Sequence, residues 1–67
     1  MTVNGEKFDH ASLAPAYDIH SLLRCLSLSE RRVAIEVNGE LLSNSQYAGK
    51  QLAENDNIEI IHYVGGG

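Results

Sequence analysis

Apolar and polar positions along the chain follow two rhythms. Val33, Ile35 and Val37 recur at every second position, with Ala34 and Glu36 between them. That period of two marks a half-buried strand. Asn57 to Val64, rich in β-branched residues, predicts a second and stronger strand. Its Ile58, Ile60 and Val64 face a core, while Glu59, Ile61 and Tyr63 point the other way. Between the first and last of these patterns the rhythm changes. Ile19, Leu22, Leu23 and Leu26 fall at i, i+3, i+4 and i+7, a single apolar stripe along a helix. Asp18 precedes it as the N-cap, and Pro15 lies upstream, where it cannot break the helix.

Turn chemistry supplies the rest of the frame. Asn-Gly occurs at Asn4-Gly5 and at Asn38-Gly39, and both residue types accept the positive φ of a tight type I′ hairpin. The first turn predicts short strands over Met1–Val3 and Lys7–Asp9. The second returns Val33–Val37 into Glu40–Leu42. Both turns sit in a Val-Asn-Gly-Glu run, which reflects shared turn chemistry rather than an internal repeat. Ser27 to Glu30 reads as a loop, Ser43 to Gly49 as at most one helical turn, and Glu54 to Asn57 as a turn. The fold class is therefore α+β: a mixed sheet of four or five strands with one main helix on one face. Ala34, Glu36, Glu59, Ile61 and Tyr63 lie on the other face, which has no cover.

Composition narrows the classes of function. With 67 residues the chain has room for one small domain and little depth for an enclosed active site. A hydrophobic share of 43% suits a folded core rather than a disordered segment. Five basic against nine acidic side chains give a net charge of −4, which argues against nucleic acid as a partner. The single cysteine, Cys25, excludes an internal disulfide and points to a reducing, cytoplasmic setting. No apolar run approaches the roughly 20 residues of a membrane span, and the polar opening does not resemble a signal peptide.

Catalytic chemistry finds no foothold. His10, His20 and His62 have no further His or Cys at metal-ligand spacing, so no metal site is expected. Cys25 borders the apolar helix stripe and reads as a packing residue despite the adjacent Arg24. The carboxylates, Asp9, Asp18, Glu30, Glu36, Glu40, Glu54, Asp56 and Glu59, read as caps and solvated surface. No glycine-rich loop precedes a helix to cradle phosphate. The expectation is a protein that is not itself an enzyme.

The unusual feature is Val64-Gly65-Gly66-Gly67, three glycines directly after the strongest strand. By composition alone the run is equally a frayed end and a functional tail. Without side chains it is thin enough to enter a narrow channel, and it spans at most about 10 Å at 3.3–3.6 Å per residue. At its tip the Gly67 carboxylate is a poor acyl donor until it is converted to a mixed anhydride with AMP. A sulfur or amine nucleophile can then attack an unhindered carbonyl.

Taken in order, Val3-Asn4-Gly5-Glu6, Asp18-Ile19-x-x-Leu22-Leu23, Arg31 to Glu40 and Ile58 to Gly67 resemble the ThiS family, the sulfur carriers of thiamine biosynthesis. The resemblance implies a ubiquitin-like β-grasp domain over residues 1–64 and a flexible tail over 65–67. It implies that the Gly67 carboxylate is adenylated by a ThiF-type enzyme using ATP, with no cofactor bound to the carrier itself. A sulfur donor, a desulfurase or persulfide, converts the adenylate to a thiocarboxylate. Thiazole synthase, ThiG, then takes the sulfur for the thiazole ring. The chain departs from the family where Ser43-Asn44 replaces a frequent Pro-Arg and Asn55-Asp56 a frequent Gly-Asp, both in loops.

On this reading the uncovered sheet face beside the tail is the docking surface. Ile61, Tyr63, Val64 and Ala34 form its apolar part, and Glu36 and Glu59 meet basic residues on the partner. The free chain is expected to be a monomer. Two alternatives share the fold and the tail: a sulfur carrier for molybdopterin or tRNA thiolation, and a ubiquitin-like protein modifier joined to lysines. A third, a binding module with incidental glycines, shares only the fold.

Overall fold

The computed structural model describes residues 1–63. It contains β1 (Thr2–Val3), β2 (Glu6–Lys7), α1 (Ile19–Leu26), β3 (Val33–Val37), β4 (Glu40–Leu41) and β5 (Asn57–His62), with short 3-10 turns at His10–Leu13, Glu30–Arg32 and Asn44–Gln46. The five strands form one sheet in the order β2-β1-β5-β3-β4. β5 is its centre, parallel to β1 and antiparallel to β3. The sequence-predicted α+β architecture is thus present, with the upper of the two strand counts.

Both hairpins turn on Asn-Gly as expected, with φ of 50° and 82° at Asn4 and Gly5 and of 53° and 86° at Asn38 and Gly39. The tight first turn pairs Val3 with Glu6, so β2 starts earlier than the predicted Lys7–Asp9 and ends sooner. Phe8 still donates its N–H to the Met1 carbonyl, but the Asp9 carboxylate has turned to cap the following 3-10 turn through the Ala11 N–H. β4 likewise stops at Leu41, one residue short of the prediction, although the Leu42 N–H continues to the Ile35 carbonyl. β5 ends at His62 rather than Val64. Val64 and the glycines at 65–67 lie outside the described residues.

The helix forms where the stripe places it. Asp18 accepts the Ser21 N–H at 2.9 Å, and Ile19, Leu22 and Leu23 are buried against the sheet, with Leu26 half-buried. Ser27 takes a left-handed conformation at φ 58° and closes the helix. Cys25 is exposed, its thiol 3.7 Å from the Ser12 carbonyl, which corrects its reading as a packing residue. One step around the helix from the stripe was enough to take it out of the core.

The core on this face joins Val33, Ile35, Val37, Ile58 and Ile60 from the sheet to the helix stripe. It is completed by Leu13, Leu42, Tyr47 and Leu52, which belong to irregular segments with no periodicity. Tyr47 is 1% exposed, and its carbonyl accepts the Ile19 N–H at the start of α1. The stretch after β4 holds the expected single turn, a 3-10 turn at Asn44–Gln46, and closes over the core through Leu42, Tyr47 and Leu52.

Candidate functional site

Among the described residues nothing covers the other face of the sheet, and its register fixes what is displayed there. Directly opposed residues share a face. Ala34 opposes Ile61, Glu36 opposes Glu59 on one side and Leu41 on the other. Ile61 is 54% exposed and Leu41 64%. The expected face of Ala34, Glu36, Glu59 and Ile61 is thus assembled, and Leu41 joins it. Leu41 and Leu42 are indistinguishable in the sequence. Only the pairing of Leu41 with Glu36 turns the first out and leaves the second in.

Two carboxylates in one opposed pair are unfavourable by the cross-strand rule. Flanked by Ile61 and Leu41, Glu36 and Glu59 make an acidic stripe across an apolar field, suited to a partner that offers both cations and apolar side chains. The sheet tolerates the repulsion because both side chains face water.

Tyr63 stands past the last ladder pair, with its N–H on the Arg32 carbonyl at 2.7 Å and its side chain 55% exposed. Burial pushes the Tyr47 phenol up, and the charges of Glu30 and Tyr63 nearby add to that effect. Tyr63 is therefore at the corner where β5 ends, past the last pair of its ladder with β3. The Glu30 carboxylate is 2.8 Å from His20 Nε2, and the His20 ring meets Tyr47 edge-on at 6.1 Å.

The central strand is held from both sides. On one side β3 pairs with it from Ile58 to His62. On the other, β1 pairs only with Asn57 and Ile58, and Asn4 takes over: its backbone N–H donates to the Ile58 carbonyl, and its side chain bonds both the N–H and the C=O of Ile60. The sequence reading saw Asn4 as a turn residue only. Its role as a ladder substitute follows from the parallel β1–β5 pairing, which no local pattern announces.

Among the described residues no set of three or more His, Cys, Asp or Glu is placed to hold a metal ion. His10 Nε2 lies 2.6 Å from the Leu52 carbonyl and its ring stacks on Tyr17, and His62 is exposed. An open groove of about 450 Å³ runs beside Met1, Phe8 and Asn55. It sits at the end of the sheet where β5 begins, so the length of that strand, roughly 17 Å at 3.3 Å per residue, separates it from the exit. No helix of the described residues is long and apolar enough to cross a membrane.

Comparison with known proteins fits this geometry. The profile of the ThiS family matches residues 1–67. The chain belongs to the ThiS family. It is 39% identical over 49 residues to the sulfur carrier protein ThiS of Bacillus subtilis, covering 73% of this chain and 74% of that one. The crystal structure of the thiamine biosynthesis protein ThiS from Geobacter metallireducens superposes with a TM-score of 0.73 at 29% identity, covering 98% of this chain and 96% of that one. The architecture is thus the ubiquitin-like β-grasp. The chain is also 31% identical over its whole length to a thiazole synthase of Paramagnetospirillum magneticum, but spans only 20% of that protein. A thiazole synthase of Magnetococcus marinus matches 73% of the chain at 37% identity, with 15% of its own length.

Proposed function

We propose that the chain is a sulfur carrier for thiazole formation and that its working group is the Gly67 carboxylate. A ThiF-type enzyme joins that carboxylate to AMP from ATP, with pyrophosphate leaving. A persulfide on a desulfurase or other sulfur donor attacks the adenylate carbonyl and displaces AMP, giving an acyl disulfide. A second thiol then attacks the donor's sulfur, leaving the donor's cysteine in a disulfide and releasing the thiocarboxylate. Thiazole synthase draws the sulfur from it. The carrier supplies no catalytic side chain: residues 1–64 act as a handle, and Gly65, Gly66 and Gly67 as the arm.

The observation that carries this reading is the double anchoring of β5. β3 holds this strand on one side, and β1 and Asn4 hold it on the other as far as Ile60, so the end of the strand has a fixed place on the domain. That pre-organisation lowers the ordering cost of threading a glycine arm into a channel. The bare face beside the exit, with Ile61, Leu41 and Ala34 around Glu36 and Glu59, gives the partner something to grip. The thiazole synthase relatives add support, since in them the matched segment is a small part of a protein bearing the name of the sulfur acceptor. Fusion of that kind suits two parts that must meet.

Intact mass spectrometry tests the proposal. The chain ending at Gly67 is incubated with ATP, a ThiF-type enzyme and a sulfur donor. One oxygen is replaced by sulfur, and fragmentation places the change on Gly67. An unchanged mass with an enzyme active on its own carrier, or an isopeptide to lysine as the sole product, overturns it. Amidation of the Gly67 carboxyl abolishes the reaction.

A further inference from the structure

Each asparagine of the two Asn-Gly turns reaches β5 with its side chain. Asn4 holds both backbone groups of Ile60. Asn38 holds the foot of the strand. Its Oδ1 accepts the Asn57 N–H at 2.9 Å, its backbone N–H donates to the Asn57 carbonyl, and its Nδ2 donates to one Asp56 carboxylate oxygen at 3.0 Å. The other Asp56 oxygen accepts the Ala53 N–H at 2.8 Å. Asn38 thus differs from Asn4 in facing a carboxylate. It also stands before Gly39, which is exposed, has φ 86° and has no neighbour within 4 Å of where a Cβ would sit. A glycine nitrogen that no side chain screens is the best-placed backbone nucleophile for an adjoining side-chain amide.

We propose that Asn38 is a site of spontaneous deamidation, guarded in the folded chain by Asp56. In the reaction the Gly39 nitrogen attacks Asn38 Cγ. The new C–N bond closes a succinimide, and the side-chain nitrogen leaves as ammonia with the proton that the Gly39 nitrogen gives up. Water then opens the ring at either carbonyl, leaving aspartate or isoaspartate. The attack turns the Asn38 amide toward Gly39, whereas its bonds to Asp56 and Asn57 hold it toward β5. Neither product fits back into place. Aspartate sets a second carboxylate where the amide donated, at hydrogen-bond distance from Asp56, and the two like charges repel. Isoaspartate adds a methylene to the main chain of a two-residue turn and upsets the β3–β4 register. Either way the turn lets go of the foot of β5.

Ageing the folded chain at mildly alkaline pH tests this, with peptide mapping that separates aspartate from isoaspartate at positions 38 and 4. Asp56→Ala removes the guard and speeds the change at Asn38 by about tenfold, the weight of one hydrogen bond to a charged group. Asn4, whose amide meets only the Ile60 backbone, stays within about twofold of its rate in the parent and so reports general loosening. The consequence is read from the melting temperature. Asn38→Asp lowers it by about 5–10 °C. Adding Asp56→Asn to that variant brings it back to within about 2 °C of the parent. Amide and carboxylate have then changed places, and the bonds to Ala53, to Asn57 and to each other are all remade. Equal rates at Asn38 with and without Asp56, or a rise matched at Asn4, overturn the proposal. If Asp56→Ala fails to fold, the exchange decides: a double variant no more stable than Asn38→Asp alone overturns it.

Discussion

The Asn4 side chain receives the Ile60 N–H at 2.7 Å and donates to the Ile60 carbonyl at 3.3 Å, across 56 positions of sequence. One amide thereby stands in for a β1 residue that the hairpin turn has carried out of reach. Asn4 does this from a left-handed conformation, φ 50°, which asparagine accepts more readily than most residues. Turn former and strand clamp are the same residue.

Replacing Asn4 by glycine isolates the clamp, because glycine keeps the turn. Asn4→Gly lowers stability by about 1–3 kcal/mol, the range for leaving partly buried backbone groups of a central strand without partners. Urea denaturation measures the loss, and hydrogen exchange at Ile60, whose N–H the Asn4 side chain accepts, accelerates more than at Ile35. A change below half a kcal/mol, with unaltered exchange, means that the clamp adds nothing.

The opposed carboxylates on the bare face trade stability for association. Glu59→Gln removes the repulsion with Glu36 and stabilises the fold by a few tenths of a kcal/mol. It also slows association with a partner of basic surface and flattens the salt dependence of the on-rate. Stopped-flow association at two ionic strengths checks both. An on-rate equal to the parent's at low salt removes Glu59 from the docking surface.

Ile61 and Leu41 are exposed among the described residues. Ile61→Ser and Leu41→Ser therefore stay within about 0.5 kcal/mol of the parent in stability, yet each raises the KM for the carrier in adenylation. Tyr63→Ala behaves in the same way at the exit corner. Unchanged activation kinetics for any one of the three variants takes that residue out of the interface.

Acid sensitivity has an identifiable source in Asp56. Burial pushes its carboxyl up, but the Ala53 N–H, the Asn38 amide and the charges of Lys50 and His10 outweigh this and hold it below its ordinary 3.8. A carboxyl lowered in the folded state stabilises above its unfolded pKa, and that contribution disappears as pH falls through the folded value. Asp56→Asn is thus less stable than the parent at pH 7, by about 1 kcal/mol for a weakened hydrogen-bond set. The gap closes on acidification below 3.8. Urea denaturation across that range checks it, and a gap that stays constant with pH contradicts the assignment.

Local pattern by itself determined the helix over Ile19–Leu26, its Asp18 cap, both Asn-Gly turns, the alternation of β3 and the central apolar strand. Each depends on neighbours within a few positions, where side-chain period and turn chemistry act directly. Through its resemblance it also pointed to the family. Tertiary structure decided the rest. Leu13, Tyr47 and Leu52 entered the core from segments without periodicity, and Cys25 left it. Leu41 faces out and Leu42 in because of the pairing with Glu36, and Asn4 meets Ile60 because β1 lies parallel to β5. These outcomes turn on contacts between residues far apart in the chain, whose register is set by the packing of the whole sheet and leaves no periodic trace in any one segment.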